Sequence, residues 1–238
     1  MKAFILAAGK GRRLGHITKD TPKPMLMLKG KPILEHNILM CKKAGVKDIF
    51  INLHYLPDKI TSYVGDGTKL GVNINYNFEP KLLGTAGGIL FFLENFNKEP
   101  FYVIYGDSYT EFDLRDLKIY HESVKSEFTI AMHWTNDIRQ SGLVELDQDG
   151  MIINFIEKPK FNSIEGGWVN SGIYLINPGV IDDIVRKNSD FAYDVIPKII
   201  KRGQKAYGYK TENKFWAVDT PEMLHNTINE HQTSKTYR

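Results

Sequence analysis

Residues 2–14 read Lys-Ala-Phe-Ile-Leu-Ala-Ala-Gly-Lys-Gly-Arg-Arg-Leu, a short apolar run that ends in two glycines and two arginines. An uninterrupted apolar run of this length is typical of a strand buried on both faces of a parallel sheet. The glycines let backbone N–H groups approach a phosphate closely, and Arg13 adds positive charge beside them. The stretch predicts an α/β fold whose first strand ends at an anion-binding turn.

Two common nucleotide-binding signatures do not fit this turn. A dinucleotide-binding pattern that begins at Gly9 needs a third glycine at position 14, where the chain has Leu14. The Walker pattern, which ends in Gly-Lys-Ser/Thr, is missing from the turn as well. For these residues taken alone, a glycine turn without a ligand remains an alternative.

The first half of the chain alternates strand patterns with helix patterns. Strands are predicted at 48–53, 72–78 and 101–105, and helices at 33–44, 57–64 and 87–95. Strands that alternate with helices in this way indicate a parallel sheet covered on both faces.

After residue 127 strands follow one another with little helix between them. They are predicted at 128–134, 142–146, 151–156 and 169–176, and helix patterns return at 180–186, 193–201 and 221–231. The pair Asp149-Gly150 between two alternating runs is a hairpin signal. We expect one α/β domain over residues 1–238, with a small antiparallel, β-rich extension.

Composition and charge exclude several classes of protein. The net charge is only +3 and the basic residues are scattered, so we expect no nucleic-acid partner. The apolar N-terminal run is too short for a signal peptide, and no stretch reaches the roughly 18 apolar residues of a membrane span. We therefore expect no membrane association and a cytoplasmic location. The single cysteine, Cys41, excludes an intrachain disulfide and falls in a helix pattern, where core packing is its expected role.

A second motif places one lysine between two prolines, in Thr-Pro-Lys-Pro-Met at residues 21–25. Proline fixes its own φ and restricts the residue before it, so Lys23 is predicted to lie in a defined extended segment. A solvated lysine is the alternative, and the preceding glycine turn favours a role in phosphate binding.

Five further motifs follow in order. They read Leu-Gly-Thr-Ala-Gly-Gly at 83–88, Tyr-Gly-Asp at 105–107, Glu-Lys-Pro at 157–159, Val-Asn-Ser-Gly-Ile-Tyr at 169–174 and Asp-Thr-Pro-Glu at 219–222. With residues 6–14 and 22–25, this series resembles the sugar-1-phosphate nucleotidyltransferase family, in its short form without a β-helix domain. The resemblance covers nearly the whole chain. It implies a mainly parallel, Rossmann-like sheet flanked by helices with an antiparallel sugar-side extension, and it divides the domain into a nucleotide-binding half at 1–126 and a sugar-phosphate-binding half at 127–238.

The resemblance implies a Mg²⁺-dependent transfer of a nucleoside monophosphate from a nucleoside triphosphate to a sugar 1-phosphate, with release of pyrophosphate. It implies that Asp107 and Asp219 bind the Mg²⁺. Asp107 follows a predicted strand, where open α/β sheets place ligand-binding residues, and its alternative is a turn cap. Asp219 stands directly before Thr-Pro, whereas many family members read Asp-Ile-Gly-Thr-Pro-Glu. Because a helix is predicted to begin near Pro221, a helix N-cap is the alternative for Asp219.

The resemblance also implies roles for other residues. The predicted nucleotide-binding residues are Leu6, Ala7, Ala8, Gly9, Gly11, Arg13, Lys23, Gly84, Thr85 and Gly87, and the predicted sugar-phosphate-binding residues are Asp107, Gly142, Glu157, Lys158 and Asn170. The predicted catalytic residues are Arg13 and Lys23, which stabilise the pyrophosphate leaving group, and Lys158, which positions the attacking phosphate. Fixed cations are needed because two phosphate groups with about four negative charges must approach each other. Turn or strand roles are the alternatives for Gly142 and Asn170.

Two other functions remain open from the sequence. A glycosyltransferase that consumes a nucleotide sugar usually carries an Asp-any-Asp motif, and Asp107-Ser108-Tyr109 lacks the second Asp. A non-catalytic nucleotide-sugar sensor would not need the cations and carboxylates retained here. Residues 83–87 resemble guanylyltransferases for mannose and heptose 1-phosphates, so we expect GTP, with CTP and UTP as alternatives. The sequence also leaves open whether the chain forms a homo-oligomer.

Overall fold

The computed structural model describes residues 1–96, 98–160 and 166–233 and has the α/β architecture predicted from the sequence. Its strands are β1 Lys2–Leu6, β2 Met27–Leu28, β3 Lys31–Pro32, β4 Asp48–Leu53, β5 Asn73–Phe78, β6 Phe101–Tyr105, β7 Ser108–Thr110, β8 Phe128–Thr135, β9 Gly142–Leu146, β10 Ile152–Glu157, β11 Gly167–Ile176, β12 Ala206–Lys210 and β13 Phe215–Ala217. Its α-helices are α1 Ile33–Lys43, α2 Pro57–Val64, α3 Gly84–Gly87, α4 Leu114–Ser123, α5 Ile196–Lys201 and α6 Pro221–Thr233. In these ranges no helix is both long and apolar enough to cross a membrane.

One central sheet contains most of the strands. Its main path runs β10-β9-β11-β6-β1-β4-β5, and β8 and β12 extend it from β11. Strands β6, β1, β4 and β5 are parallel to one another. Strand β11 is antiparallel to β6, and β8 is antiparallel to β11. The parallel sheet with an antiparallel extension is the predicted fold class.

The central strands β1 and β6 are buried on both faces. Phe4 and Val103 belong to one apolar cluster, whereas Ile5 and Ile104 belong to the cluster on the other side. The uninterrupted apolar run near the N-terminus reflects this double burial, because both sets of alternating side chains leave water. Cys41 is fully buried in the second cluster, as expected of a packing residue.

Two of the predicted helices are wrong. Residues 87–95 form the end of α3 followed by short 3₁₀ segments, Gly88–Phe91 and Leu93–Phe96. Adjacent glycines favour helix poorly, and Phe92 leaves the helical region at φ −126°. Residues 180–184 form successive turns, and residues 185–186 have no regular secondary structure. Ile181, Ile184 and Val185 are nevertheless buried, so helix-like apolar spacing here reflects packing rather than a continuous helix.

Candidate functional site

The glycine turn after β1 borders a cleft at the carboxyl end of the parallel strands. Gly11 has φ +60°, and an added Cβ there would lie 3.1 Å from Thr18 Cγ2 and 3.2 Å from Lys23 Cβ. An added Cβ at Gly9 would meet no described atom within 4 Å, so the turn is open on that side. The cleft has a cavity of about 230 Å³, lined by Leu6, Gly9, Gly11, Arg12, Arg13, Lys23, Pro24, Asp107 and Asp219.

Lys23 joins the two predicted metal-binding carboxylates in this cleft. Its side chain is only 7% exposed, and Nζ donates to Asp107 Oδ2 at 2.6 Å and to Asp219 Oδ1. Burial would lower the pKa of Lys23, but the two carboxylates outweigh burial, so the pKa is raised above its ordinary value. The solvated-lysine alternative is therefore wrong.

Asp107 reaches the glycine turn because β6 and β1 come close together at their ends. The Gly106 N–H donates to the Leu6 carbonyl oxygen at 2.9 Å. An added Cβ at Gly106 would lie 2.7 Å from that same oxygen, so a larger residue would push the strand ends apart. Gly106 thus sets the position of the carboxylate that follows it.

A small antiparallel ladder brings Asp219, which lies near the C-terminal end of the chain, to this cleft. Strand β7 pairs with β13, with Ser108 opposite Ala217, so the residues just before β7 and just after β13 become neighbours. Arg13 Nη2 lies 2.9 Å from Asp219 Oδ2. Burial would raise the pKa of Asp219, but Lys23 and Arg13 outweigh it and the pKa is lowered.

The N-cap alternative for Asp219 is also settled by hydrogen bonding at the start of α6. The Met223 N–H donates to Thr220 Oγ1 at 3.2 Å, which makes Thr220 the capping side chain. Both carboxylate oxygens of Asp219 point instead to cations in the cleft.

The residues in the cleft fit a Mg²⁺ ion that is shared with phosphate groups. Mg²⁺ prefers oxygen ligands and is commonly held by one or two carboxylates together with substrate phosphates. Asp107 and Asp219 supply two carboxylates that line the cavity. Throughout the described ranges, no group of three or more His, Cys, Asp or Glu could hold a metal without such a substrate.

The predicted sugar-side residues Gly142, Glu157 and Lys158 meet at the β9–β10 ladder. Gly142 pairs with Glu157, and an added Cβ at Gly142 would lie 2.9 Å from Glu157 Oε2. Burial raises the pKa of Glu157; Lys158 opposes the rise and Asp190 adds to it. Lys158 has φ +48°, and its half-exposed side chain places Nζ 3.9 Å from Glu157 Oε1. These residues do not line the Arg13 cavity.

Asn170 belongs to a partly buried polar network beside this ladder. Its Nδ2 donates to the Tyr174 hydroxyl at 2.7 Å, and its Oδ1 accepts from the Gly172 N–H at 2.8 Å. The Tyr174 hydroxyl donates to the Tyr105 hydroxyl at 3.4 Å. Asn170 is therefore fixed in orientation by its neighbours.

The 83–88 motif packs against the segment that follows the turns of 180–184. Gly84 has φ +80°, and the Ala86 and Gly87 N–H groups both donate to the Ser189 carbonyl oxygen, at 3.0 and 3.2 Å. Thr85 Oγ1 donates to Asp190 Oδ2 at 2.8 Å. The structure thus places Gly84, Thr85 and Gly87 apart from the lining of the Arg13 cavity, and their nucleotide-binding role stays a prediction.

A buried link between these regions was not foreseen from the sequence. The Ala7 N–H donates to Asn52 Oδ1 at 2.9 Å, and Asn52 Nδ2 donates to Glu79 Oε1 at 2.8 Å. Glu79 is fully buried, and its other oxygen accepts from the Leu83 N–H at 3.0 Å. The sequence feature that could have indicated this link is Asn52, a polar residue within the apolar strand β4. The link ties the glycine turn to the 83–88 motif.

Comparison with known proteins identifies relatives of this chain. The family model described as nucleotidyl transferase matches residues 2–227. The chain is 34% identical over 204 residues to probable mannose-1-phosphate guanylyltransferase 2 of Oryza sativa subsp. japonica, covering 84% of this chain and 56% of that protein. It is 35% identical over 222 residues to UTP–glucose-1-phosphate uridylyltransferase of a Synechocystis strain, covering 87% and 57%.

Solved structures include one similar protein with a nucleotide analogue. The crystal structure of HddC from Yersinia pseudotuberculosis complexed with GMP-PN has a TM-score of 0.80 and 28% identity, and the match covers 96% of this chain and 98% of that chain. The two curated relatives are longer, and this chain spans little more than half of each.

Proposed function

The chain belongs to the nucleotidyl transferase family, and we propose that it joins a nucleoside triphosphate to a sugar 1-phosphate, giving a nucleotide sugar and pyrophosphate. The observation that carries this proposal is the Lys23 ammonium held between Asp107 and Asp219 beside an open glycine turn. This cluster offers cations for phosphates and two carboxylates for a metal, and the reaction requires both.

The bond changes need positioning more than a protein nucleophile. A non-bridging oxygen of the sugar 1-phosphate attacks the α-phosphorus of the nucleotide in line. The bond from the α-phosphorus to the β-phosphate oxygen breaks, and pyrophosphate leaves with the electron pair. The attacking oxygen is already ionised, so no general base is required.

Charged residues of the chain take separate parts in this step. Arg13 and Lys23 bind the departing pyrophosphate, and backbone N–H groups of the turn at Gly9 bind the triphosphate; the support for these roles is that all three residues line the cleft cavity. Lys158 binds the acceptor phosphate from the other side, and Glu157 accepts hydrogen bonds from sugar hydroxyls. Asp107 and Asp219 would hold Mg²⁺, which supplies charge neutralisation to the phosphate oxygens when bound.

GTP is the proposed nucleotide. Its support is the guanylyltransferase relative and the similar structure with GMP-PN, together with the 83–87 motif. UTP is the main alternative because a uridylyltransferase is similar to the same degree. The division into a nucleotide-binding half at 1–126 and a sugar-phosphate-binding half at 127–238 belongs to this proposal, as does a cytoplasmic location.

A panel of four nucleoside triphosphates against several sugar 1-phosphates tests the function through pyrophosphate release. We expect release only when Mg²⁺ and both substrates are present, with GTP the best nucleotide. Turnover that requires a preformed nucleotide sugar would instead indicate a glycosyltransferase. Nucleotide-sugar binding without turnover in any combination would indicate a sensor.

A further inference from the structure

One ammonium group contacts both carboxylates that the proposed function assigns to Mg²⁺. Lys23 Nζ lies 2.6 Å from Asp107 Oδ2 and also donates to Asp219 Oδ1, while Arg13 binds the remaining oxygen of Asp219. The lysine side chain is nearly buried, and Pro22 and Pro24 on either side restrict its backbone. The contact is therefore built into the fold rather than made by a freely moving surface lysine.

An ammonium ion and a divalent cation compete for the same carboxylate oxygens. Two ions of like charge that bind the same oxygens repel each other strongly at contact distance. Asp107 Oδ2 and Asp219 Oδ1 each accept from Lys23, so a metal that binds both residues has to displace or face this ammonium.

We propose that Lys23 is an internal counter-ion that keeps Asp107 and Asp219 from binding a divalent cation until a nucleotide is present. The proposal rests on the proposed function. The triphosphate supplies new anionic partners for Lys23 and Arg13, and both cations turn from the carboxylates to its oxygens. The carboxylates then become available to a metal that the phosphates also bind.

This arrangement makes metal binding depend on nucleotide binding. Without nucleotide, the two cations Lys23 and Arg13 and the two carboxylates Asp107 and Asp219 balance one another's charge. With nucleotide, the added negative charge favours entry of the metal. The free protein should therefore bind divalent cations weakly even though it carries two suitable carboxylates.

The test is Mn²⁺ binding to nucleotide-free protein, measured from the loss of the free-ion signal in electron paramagnetic resonance. Lys23→Gln should bind Mn²⁺ about tenfold or more tightly than the unmodified protein, because a positive charge in contact with the ligands is gone. Adding Asp107→Asn to Lys23→Gln should remove this gain. Equal or weaker Mn²⁺ binding by folded Lys23→Gln would overturn the proposal.

Lys10→Gln is the matched control. Lys10 belongs to the same glycine turn, and across the described ranges the ion pairs of Asp107 and Asp219 are with Lys23 and Arg13. Its loss removes the same charge without freeing a carboxylate, so Mn²⁺ affinity should stay near that of the unmodified protein. A gain as large as that of Lys23→Gln would show a general charge effect and contradict the proposal.

A measurement on the unmodified protein keeps the test independent of the folding of Lys23→Gln. The buried Lys23 ammonium should give a ¹H–¹⁵N signal protected from solvent exchange, identified by its loss in Lys23→Arg. Millimolar Mg²⁺ alone should leave the signal in place, whereas a non-hydrolysable nucleotide with Mg²⁺ should shift it. A shift with Mg²⁺ alone would refute the proposal.

These readouts do not depend on turnover. Failure of the Mn²⁺ test with normal pyrophosphate release would remove the counter-ion role and leave the proposed function intact. An inactive protein that passes the Mn²⁺ test would remove the proposed function, while the competition between Lys23 and the metal would stand.

Discussion

Asp219→Asn is the substitution that best separates a role in metal binding from a role in folding. Asp219 contacts two cations, Lys23 and Arg13, and its neighbour Thr220 caps α6. Asparagine keeps the size of the side chain and one oxygen acceptor but loses the charge. Helix capping should survive the change, since the Thr220 hydroxyl is untouched.

The expected loss of stability is modest. Removing one partner of a fully buried ion pair costs about 3–5 kcal/mol. Asp219 is 23% exposed, and asparagine can still accept from Lys23, so we expect about 1–2 kcal/mol. For a domain of this size each kcal/mol lowers Tm by about 2–4 °C. The variant should therefore remain folded at 25 °C.

The expected loss of turnover is far larger. A neutral amide is a poor ligand for a hard cation, and the lost charge is needed most when pyrophosphate departs. We expect kcat to fall about 100-fold or more, corresponding to roughly 2.7 kcal/mol of transition-state stabilisation. Pyrophosphate release measures kcat, and urea unfolding measures stability on the same preparation.

Thr220→Ala is the matched control. Loss of the capping hydroxyl should cost about 1 kcal/mol of stability, similar to Asp219→Asn, while kcat stays within about threefold. A folded Asp219→Asn protein with normal kcat and unchanged Mg²⁺ dependence would refute a metal-binding role for Asp219. Asp107→Asn should be as severe as Asp219→Asn, and the double variant should lose little more, because two ligands of one ion act as a unit.

Three further predictions concern the sugar side, the buried link and pH. Lys158→Ala should raise KM for the sugar 1-phosphate at least about tenfold more than KM for the nucleotide, because in the proposed function this lysine binds only the acceptor phosphate. Steady-state kinetics with each substrate varied in turn measures both constants, and equal increases would contradict the assignment. Gly88→Ala should lower the free energy of unfolding by about 1–3 kcal/mol in urea titrations, because the new Cβ would lie 2.3 Å from Glu79 Oε1. Gly9→Ala is the control and should change this free energy by less than about 0.5 kcal/mol, because an added Cβ there meets open space. Similar losses for the two variants would count against the buried link between Asn52, Glu79 and Leu83. Burial lowers the pKa of His133 to about 4, so the neutral ring stabilises the fold above pH 6.5 and this contribution is lost as pH falls towards 4. Between pH 7 and pH 5 the unfolding free energy should drop by about 1–2 kcal/mol more in the unmodified protein than in His133→Gln, and parallel pH profiles would exclude the effect.

Local features of the sequence predicted much of the fold. Strand β1 and the glycine turn follow from one continuous segment, and helix α2 and strand β6 have the predicted bounds. These elements depend on residues close together in the chain, so apolar periodicity and glycines identify them. The helix predicted at 180–186 is wrong because its apolar spacing serves burial, while its backbone hydrogen bonds close separate turns rather than a continuous helix. The Ile184 and Val185 N–H groups, for example, both donate to the Ile181 carbonyl oxygen, at 3.0 and 2.9 Å.

Long-range contacts account for what the sequence did not predict. The β7–β13 ladder that brings Asp107 to Asp219 joins two very short strands, and short strands carry little pattern. The 83–88 motif contacts a segment about a hundred positions later, where the Ser189 carbonyl oxygen accepts from the Ala86 and Gly87 N–H groups. Neither pairing leaves a periodic signal, so only the folded chain shows them.

Isotope tracing of the oxygen atoms tests the proposed reaction most directly. A sugar 1-phosphate labelled with ¹⁸O at all non-bridging phosphate oxygens is incubated with GTP, Mg²⁺ and the protein, and both products are analysed by mass spectrometry. Because the labelled phosphate attacks the α-phosphorus, every ¹⁸O should appear in the nucleotide sugar and none in pyrophosphate. Label in pyrophosphate, or no nucleotide sugar from any triphosphate in the panel, would contradict the account.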